Sequence, residues 1–459
     1  MKPRAPRAPP LRADAEPFFP LAEHPWHGDH EPRVLPGDNS LPNLAAALAH
    51  SRGSSVPLLR AAGVLRFCPD GHPDKEWLVG VAESGLRTID PVIAADVDLP
   101  RSVSEPNYFK ATAAHSALSV TRIITKGDLS ELRLHRYVRV PVEVLHTVNP
   151  RGCVDKPNGK LRRPGPSGAS VNDINVPHAV RLVSTDDIVS GLDAARRRLG
   201  AGNVFMAKAD LFAAYRCLVN ADAIYAGILL SDGSYAVDTR LSFGLRSAVA
   251  LFTHFTNVVR DMIWAECQRR HPDLFGDARP DDFFRAARSP SSALTADDIL
   301  RVYIDDFFAY GSKAEVDAVM SCLRFVITEL GLVSAPEKFE PAAKVMTLLG
   351  FRFDLDSWTV SVGADKRGKA NALLLRLVGR HKVCKTDLES LVGFLTHISR
   401  CFYGGRCFTR RLLSKVTRLR TSTGSPPTTR PTWPGGLTRC PPTGTGASPS
   451  STRTSRTPT

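Results

Sequence analysis

Hydrophobic positions change period several times between residues 145 and 415, and each change predicts an element. Val154–Arg163 (VDKPNGKLRR) reads as two strand-like ends around Asn158-Gly159, a dipeptide that tolerates the positive φ angles of a two-residue hairpin turn. Val204–Asp210 (VFMAKAD) predicts a short apolar strand ending on a carboxylate, and the LFAAYRCLV that follows predicts the opening of a helix. Leu251, Phe252, Phe255, Val258, Val259, Met262 and Ile263 recur at the spacing of one helical face, with Ser247 placed to cap it. The polar stretch from about Arg269 to Ala296 predicts a surface loop. Ile299–Tyr310 (ILRVYIDDFFAY) is two apolar runs broken by two acids, a hairpin with Asp305 and Asp306 at its turn. Val316, Val319, Met320, Leu323, Val326, Ile327 and Leu330 form a second helical stripe closed by Gly331, and a last hairpin is expected near Met346–Phe353 and Trp358–Val362. From Ala364 the pattern turns helical. This interleaving predicts an α+β fold with helices packed on one face of an antiparallel sheet.

Composition limits what surrounds that core. A chain of 459 residues with 43% hydrophobic positions can bury one, whereas the first sixty residues mix Pro, Ala and Arg with no period and are expected to lack order. No run of eighteen apolar residues and no signal-peptide core occurs, and the nine cysteines show no CxxC or zinc-finger spacing. The expectation is a reduced, intracellular protein, cytoplasmic or nuclear, with no membrane partner. Eleven of the Lys and Arg residues behind the net charge of +14 lie after Glu389, where no acid occurs. Such a field attracts polyanions, although the last forty residues alone read equally as a solvated tail. After Arg420 the chain is Thr, Pro, Ser, Gly and Arg without a period, so disorder is expected there.

Four Asp-Asp pairs occur, at Asp186, Asp281, Asp297 and Asp305, and only the last lies inside a strongly apolar strand pattern. Setting two adjacent charges among Val302, Tyr303, Ile304, Phe307 and Phe308 costs several kcal/mol per ion unless a metal or partner compensates. An acidic turn facing water is the alternative.

Tyr303-Ile304-Asp305-Asp306 resembles the YxDD box of reverse transcriptases, and it has company. Lys208-Ala209-Asp210-Leu211 with Ala214-Tyr215 resembles the first catalytic motif of that family. Leu241–Ser247 (LSFGLRS) resembles its LPFGL box with Ser242 in place of the usual proline. Gly331-Leu332 through Pro336-Glu337-Lys338, and then Leu348-Leu349-Gly350-Phe351, are similar to the two motifs that follow the YxDD hairpin. The matches occur in the family's order over about residues 145–415. The segment LVGFLTHISRCFYGGRCFTRRLL looks most like retrotransposon enzymes of the DIRS type or their Ty3-like relatives.

The resemblance implies a polymerase right hand: a disordered N-terminus at 1–60, a region of open role at 61–140, fingers at 141–203, a ferredoxin-like palm at 204–362, a small helical thumb at 363–420 and a disordered basic tail at 421–459. It implies an RNA-directed DNA polymerase joining dNTPs to a DNA or RNA primer on an RNA template, alongside other retroelement proteins. Two magnesium or manganese ions would be held by Asp210, Asp305 and Asp306, since hard ions take oxygen ligands. Lys338 would protonate the leaving pyrophosphate. Tyr215 would exclude a 2′-hydroxyl, while Phe243, Gly244 and Arg246 would approach nucleotide and template. Lys156, Lys160 and Arg162 would hold the triphosphate, and Leu349 with Gly350 would grip the primer. Without the motifs around them, Tyr215 reads as a core tyrosine, the basic hairpin as a solvated turn and Lys338 as an exposed lysine. Arg163-Pro164-Gly165-Pro166-Ser167-Gly168 departs from the family's strand at that point, and no acid beyond Glu389 is left for a downstream nuclease. A decayed or domesticated remnant that only binds nucleic acid is the alternative function.

Overall fold

The computed structural model describes residues 41–52, 58–97, 101–103, 116–149, 151, 154–155, 161–162, 169–175, 179–242, 244–276, 294–334, 338–378, 385–401, 405, 407 and 409–414. The tail expected to be disordered from residue 421, Lys156, Lys160 and Phe243 lie outside these residues.

Helices α1 (Leu44–Arg52), α2 (Ala61–Phe67), α3 (Lys75–Ser84), α4 (Pro91–Val97) and α5 (Ala117–Arg133) precede strand β1 (Tyr137–Arg139). Strands β2 (Val154–Asp155) and β3 (Leu161–Arg162) follow, then α6 (Ala169–Asp173), α7 (Thr185–Leu199), β4 (Phe205–Asp210), β5 (Gly227–Leu229) and β6 (Tyr235–Asp238). Next come α8 (Ala248–Arg270), α9 (Pro272–Phe275), α10 (Ala296–Ile299), β7 (Leu300–Tyr303), β8 (Asp306–Gly311) and α11 (Lys313–Glu329). Four strands complete the first compact unit, β9 (Glu340–Ala343), β10 (Val345–Leu348), β11 (Phe351–Asp354) and β12 (Thr359–Val362). That unit ends at Gly363; the second holds α12 (Ala364–Leu377) and α13 (Lys385–Ile398), between which Lys366 Nζ lies 2.9 Å from His397 Nε2.

The fold is α+β with antiparallel sheets. The principal sheet has the order β7-β8-β4-β9, every neighbour antiparallel. Ala207 and Ala209 of β4, Phe307 and Ala309 of β8, and Leu300 and Val302 of β7 bury one face in the same core as Phe252, Phe255, Val259 and Ile263 of α8 and Val319, Leu323 and Val326 of α11. Helix α8 is buried on most of its circumference, with Thr253 and Thr256 enclosed beside its apolar residues and His254 left exposed. Helix α7 adds to the opposite face, where Gly191 lets the Tyr310 ring approach: a Cβ there would meet Tyr310 Oη at 2.0 Å. The packing is therefore two-sided at that end, beyond the single helical face expected from the sequence. The carboxylate of Glu315 completes the capping box of α11 with Ser312 and receives both Nη atoms of Arg198, at 2.5 and 3.0 Å, which pins α7 to α11.

Several local expectations change. Residues 44–52, within the stretch expected to lack order, form α1, and Ala47 is wholly buried against Val138, Leu145 and Val237. LFAAYRCLV yields only a 3₁₀ turn, Ala214–Cys217, because Ala213 takes a left-handed φ of 50° and Leu218 is extended. Ser247 precedes α8 but does not cap it; its hydroxyl donates to Asn175 Oδ1 at 3.0 Å. The stretch expected as loop from Arg269 begins with the end of α8 and the short α9, whose Phe275 is buried against Trp264. The final hairpin is a three-stranded meander, β10-β11-β12.

Candidate active site

Strand β4 delivers Asp210 to the end of the principal sheet, where register pairs it with Asp306, the first residue of β8. Tyr303 and Asp306 close the β7–β8 hairpin, leaving Ile304 and Asp305 as its two-residue turn. Such turns need φ > 0, and Ile304 supplies it at 58°, a conformation that costs a β-branched residue on the order of 1–3 kcal/mol. The strained turn is tied to the residue after β4, where Leu211 N–H donates to Asp305 O at 3.2 Å, and the next residue, Phe212, is tied instead to the segment after α11, its N–H donating to Val333 O at 2.8 Å. Asp210, Asp305 and Asp306 thus converge at one sheet end, although they come from positions almost a hundred residues apart.

Lys338 joins them, its Nζ donating to Asp210 Oδ2. Asp210 Oδ1 is buried with no hydrogen-bond partner among the described residues. Burial and then the neighbouring Asp210 charge push the Asp305 carboxyl up. Asp306 is pushed up to about 6 by burial, Asp210 and Asp305, with Lys208 and Lys338 pulling the other way. Burial works against the charge of Lys338, but its hydrogen bond to Asp210 and the three carboxylates outweigh this and raise it. The site is an excess of partly desolvated negative charge with one ammonium drawn onto it.

A hard cation suits this donor set. It would meet the unpaired Asp210 oxygen and relieve the repulsion that holds Asp305 and Asp306 toward protonation. Among the described residues, no group of three or more His, Cys, Asp or Glu side chains is disposed to hold a metal ion unaided. The carboxylates fit a magnesium-like ion whose shell is completed by water and phosphate oxygens, not an all-protein cage.

Tyr215 is buried (7% exposed) with its ring edge-to-face on Phe252, centroids 4.7 Å apart. Its hydroxyl is pushed up to about 12 by burial, with the charge of Asp305 adding to it. Gly244 (φ 107°) and Arg246 lie on the loop before α8, held from α6: Asn172 Nδ2 donates to Gly244 O at 3.3 Å and Arg246 N–H donates to Asn172 Oδ1 at 2.8 Å. Leu349 (φ 49°) and Gly350 (φ 80°) make the two-residue turn between β10 and β11. Arg162 lies in β3, paired with Val154. Among the described residues no hydrogen bond or ion pair joins Arg246, Leu349 or Gly350 to the aspartates; the structure brings together Asp210, Asp305, Asp306 and Lys338.

Two contributors were missed in the sequence. Lys208, one side-chain repeat before Asp210 on β4, pairs with Glu340 at 2.8 Å and donates to Thr347 O at 3.1 Å, linking β4 to the segment leading into the Leu349-Gly350 turn. Its period-two spacing from Asp210 was the available signal. Asn172 had none, because its partners are backbone groups more than seventy residues away.

No family model and no curated protein matches the chain. Among solved structures, the chain is similar to the foamy viral protease-reverse transcriptase dRH in complex with ds DNA, with a TM-score of 0.49 at 15% identity, over 86% of this chain and 59% of that one. It is similar to the foamy viral protease-reverse transcriptase in complex with RNA/DNA hybrid, again with a TM-score of 0.49 at 15% identity, over 86% of this chain and 45% of that one. A complex of that viral protein with dsDNA gives 0.46 at 15% identity, over 78% of this chain and 71% of the other. The chain thus spans less than two thirds of the first two. Among the described residues no helix is long and apolar enough to cross a membrane.

Proposed function

We propose that the chain is an RNA-directed DNA polymerase of a retroelement, extending a DNA or RNA primer with dNTPs on an RNA template. The observation that supports it most is the pairing of Asp210 with Asp306 beside the Asp305 turn, with one Asp210 oxygen buried and unpartnered among the described residues. The ordered motifs of the sequence name the chemistry for which such a site suits.

Magnesium or manganese ions, if bound here, would supply Lewis-acid activation of the primer 3′-hydroxyl and offset charge on the departing pyrophosphate. Asp210 and Asp305 are the residues that would hold them, and Asp306, across from Asp210 in the strand pair, adds charge. Lys338 holds its Nζ proton on Asp210 and is placed to give it to the pyrophosphate oxygen as that group leaves. Tyr215 stands under the sugar of the incoming nucleotide, and Gly244 and Arg246, with Phe243, meet base and template. Lys156, Lys160 and Arg162 grasp the triphosphate, with arginine offering a planar fork to its oxygens. Leu349 and Gly350 steady the primer end. Primer extension by the wild-type chain and by Asp305→Asn tests the reading; a chain that binds primer–template without adding nucleotides is instead the binding-only remnant.

A further inference from the structure

A second buried charge cluster is joined to Tyr215 through its neighbour in the chain, Arg216. Asp238 ends β6 and is buried (7% exposed). Its Oδ2 accepts from Arg216 Nη1 at 2.7 Å and from Ser242 Oγ at 2.8 Å, and its Oδ1 accepts the Arg240 backbone N–H at 3.1 Å. Arg216 Nη2 donates to Glu131 Oε2 at 2.9 Å. Burial disfavours charge on Arg216, yet Asp238 and Glu131 outweigh it and hold the guanidinium ionised above the ordinary arginine range. One carboxylate thereby bridges the residue after Tyr215 to the second residue of the LSFGLRS loop.

The bridge adds a side-chain link to a backbone seam, in which Val219 and Arg240 pair antiparallel and Leu241 N–H donates to Leu218 O at 3.0 Å. Tyr215 sits in a single 3₁₀ turn that starts from a left-handed Ala213 and gives way at Leu218 to extended chain. A turn that short fixes a side chain only if its neighbours are anchored, and Arg216 is the anchored neighbour. Position 242 is where the resembling family carries proline, a residue that fixes φ without needing a partner. Here a serine takes that place, and its hydroxyl bond to Asp238 supplies the constraint.

We propose that Asp238 is a positioning residue that couples the Tyr215 ring to the 241–246 loop, so that sugar discrimination depends on Ser242 although the gate lies in the other loop. The proposal rests on the polymerase reading above. It makes Ser242 and Asp238 specificity-determining residues, which a purely structural hydrogen bond would not be.

The test compares the full-length wild type with Ser242→Ala, Ser242→Thr and Asp238→Asn in single-nucleotide addition with dNTP and rNTP, alongside amide hydrogen exchange of residues 213–219 and 241–247. Ser242→Ala is expected to lower the dNTP-over-rNTP preference in kcat/KM by roughly three- to ten-fold, mainly through the KM for rNTP, as neighbours in one network couple at about that level. Ser242→Thr restores the preference, Asp238→Asn lowers it further, and Ser242→Ala speeds exchange at 213–219 as well as at its own loop. A preference unchanged in Ser242→Ala, with both rates falling alike and exchange altered only at 241–247, would overturn the coupling. Wild type that adds no nucleotide would overturn the polymerase reading and the sugar-selecting role together, whereas extension with unchanged preference sinks this proposal alone.

Discussion

Asp210 stands directly across from Asp306 in the β4–β8 pair, and the Lys338 ammonium lies on Asp210. Two antiparallel strands place these acids face to face, while the Ile304-Asp305 turn adds the third carboxylate. The protein tolerates a local concentration of like charge that opposes its own folding, the pattern expected where a bound cation is to be used.

Asp306 shows that opposition through pH. Its carboxyl is pushed up to about 6, above the ~3.9 of an unfolded aspartate. A carboxyl raised by folding disfavours the native state once ionised, so the cost is absent below about pH 4 and grows as pH passes through about 6. In the presence of a chelator, Asp306→Asn is therefore expected to melt with the wild type near pH 4 and a few degrees above it at about pH 7.5. Thermal denaturation at the two pH values checks this; a mutant less stable at the higher pH would mean Asp306 is held by a partner and not repelled.

Divalent ions should relieve the same repulsion. Magnesium or manganese at about a hundred times its dissociation constant is expected to stabilise the wild type by ~2.7 kcal/mol, with Lys338 yielding its place on Asp210. Asp210→Asn removes the charge that receives the ion and should abolish the shift in melting temperature. An equal shift in both proteins would place the ion elsewhere.

Leu349 occupies a left-handed position that suits asparagine or glycine, followed by Gly350. Leu349→Asn creates the Asn-Gly turn favoured in two-residue hairpins and is expected to stabilise the chain by about 1 kcal/mol. If Leu349 contacts the primer end, the same change raises the KM for primer–template. Denaturant unfolding and steady-state kinetics read the two effects separately; a variant both less stable and kinetically unchanged would contradict the assignment.

The legible parts of the fold were those written as local period. The apolar run of β4 that ends on Asp210, the paired runs of β7 and β8 and the stripes of α8 and α11 are each visible within the element's own residues. The acids at 305 and 306 stood out because charge interrupted an apolar run, and Asp210 because it ended one. What stayed hidden depends on distant partners. Ser247 has a capping residue's chemistry but turns to Asn175, and α1 is ordered by Val138 and Val237, to which no period in its own sequence points. The Arg216–Asp238–Ser242 bridge joins residues whose spacing carries no motif, and the positive φ of Ile304 runs against the preference of its side chain.

We propose that the Asp210–Asp305–Asp306 cluster performs nucleotidyl transfer. Primer extension on an RNA template with dNTPs and Mg²⁺, comparing wild type with Asp305→Asn at matched folding and primer–template binding, tests it most directly. Extension by the wild type and a loss on the order of 10²-fold or more in the mutant are expected, the scale on which removing one electrostatic group from a transition state acts. Equal extension by both proteins, or none by a wild type that still binds primer–template, would contradict it.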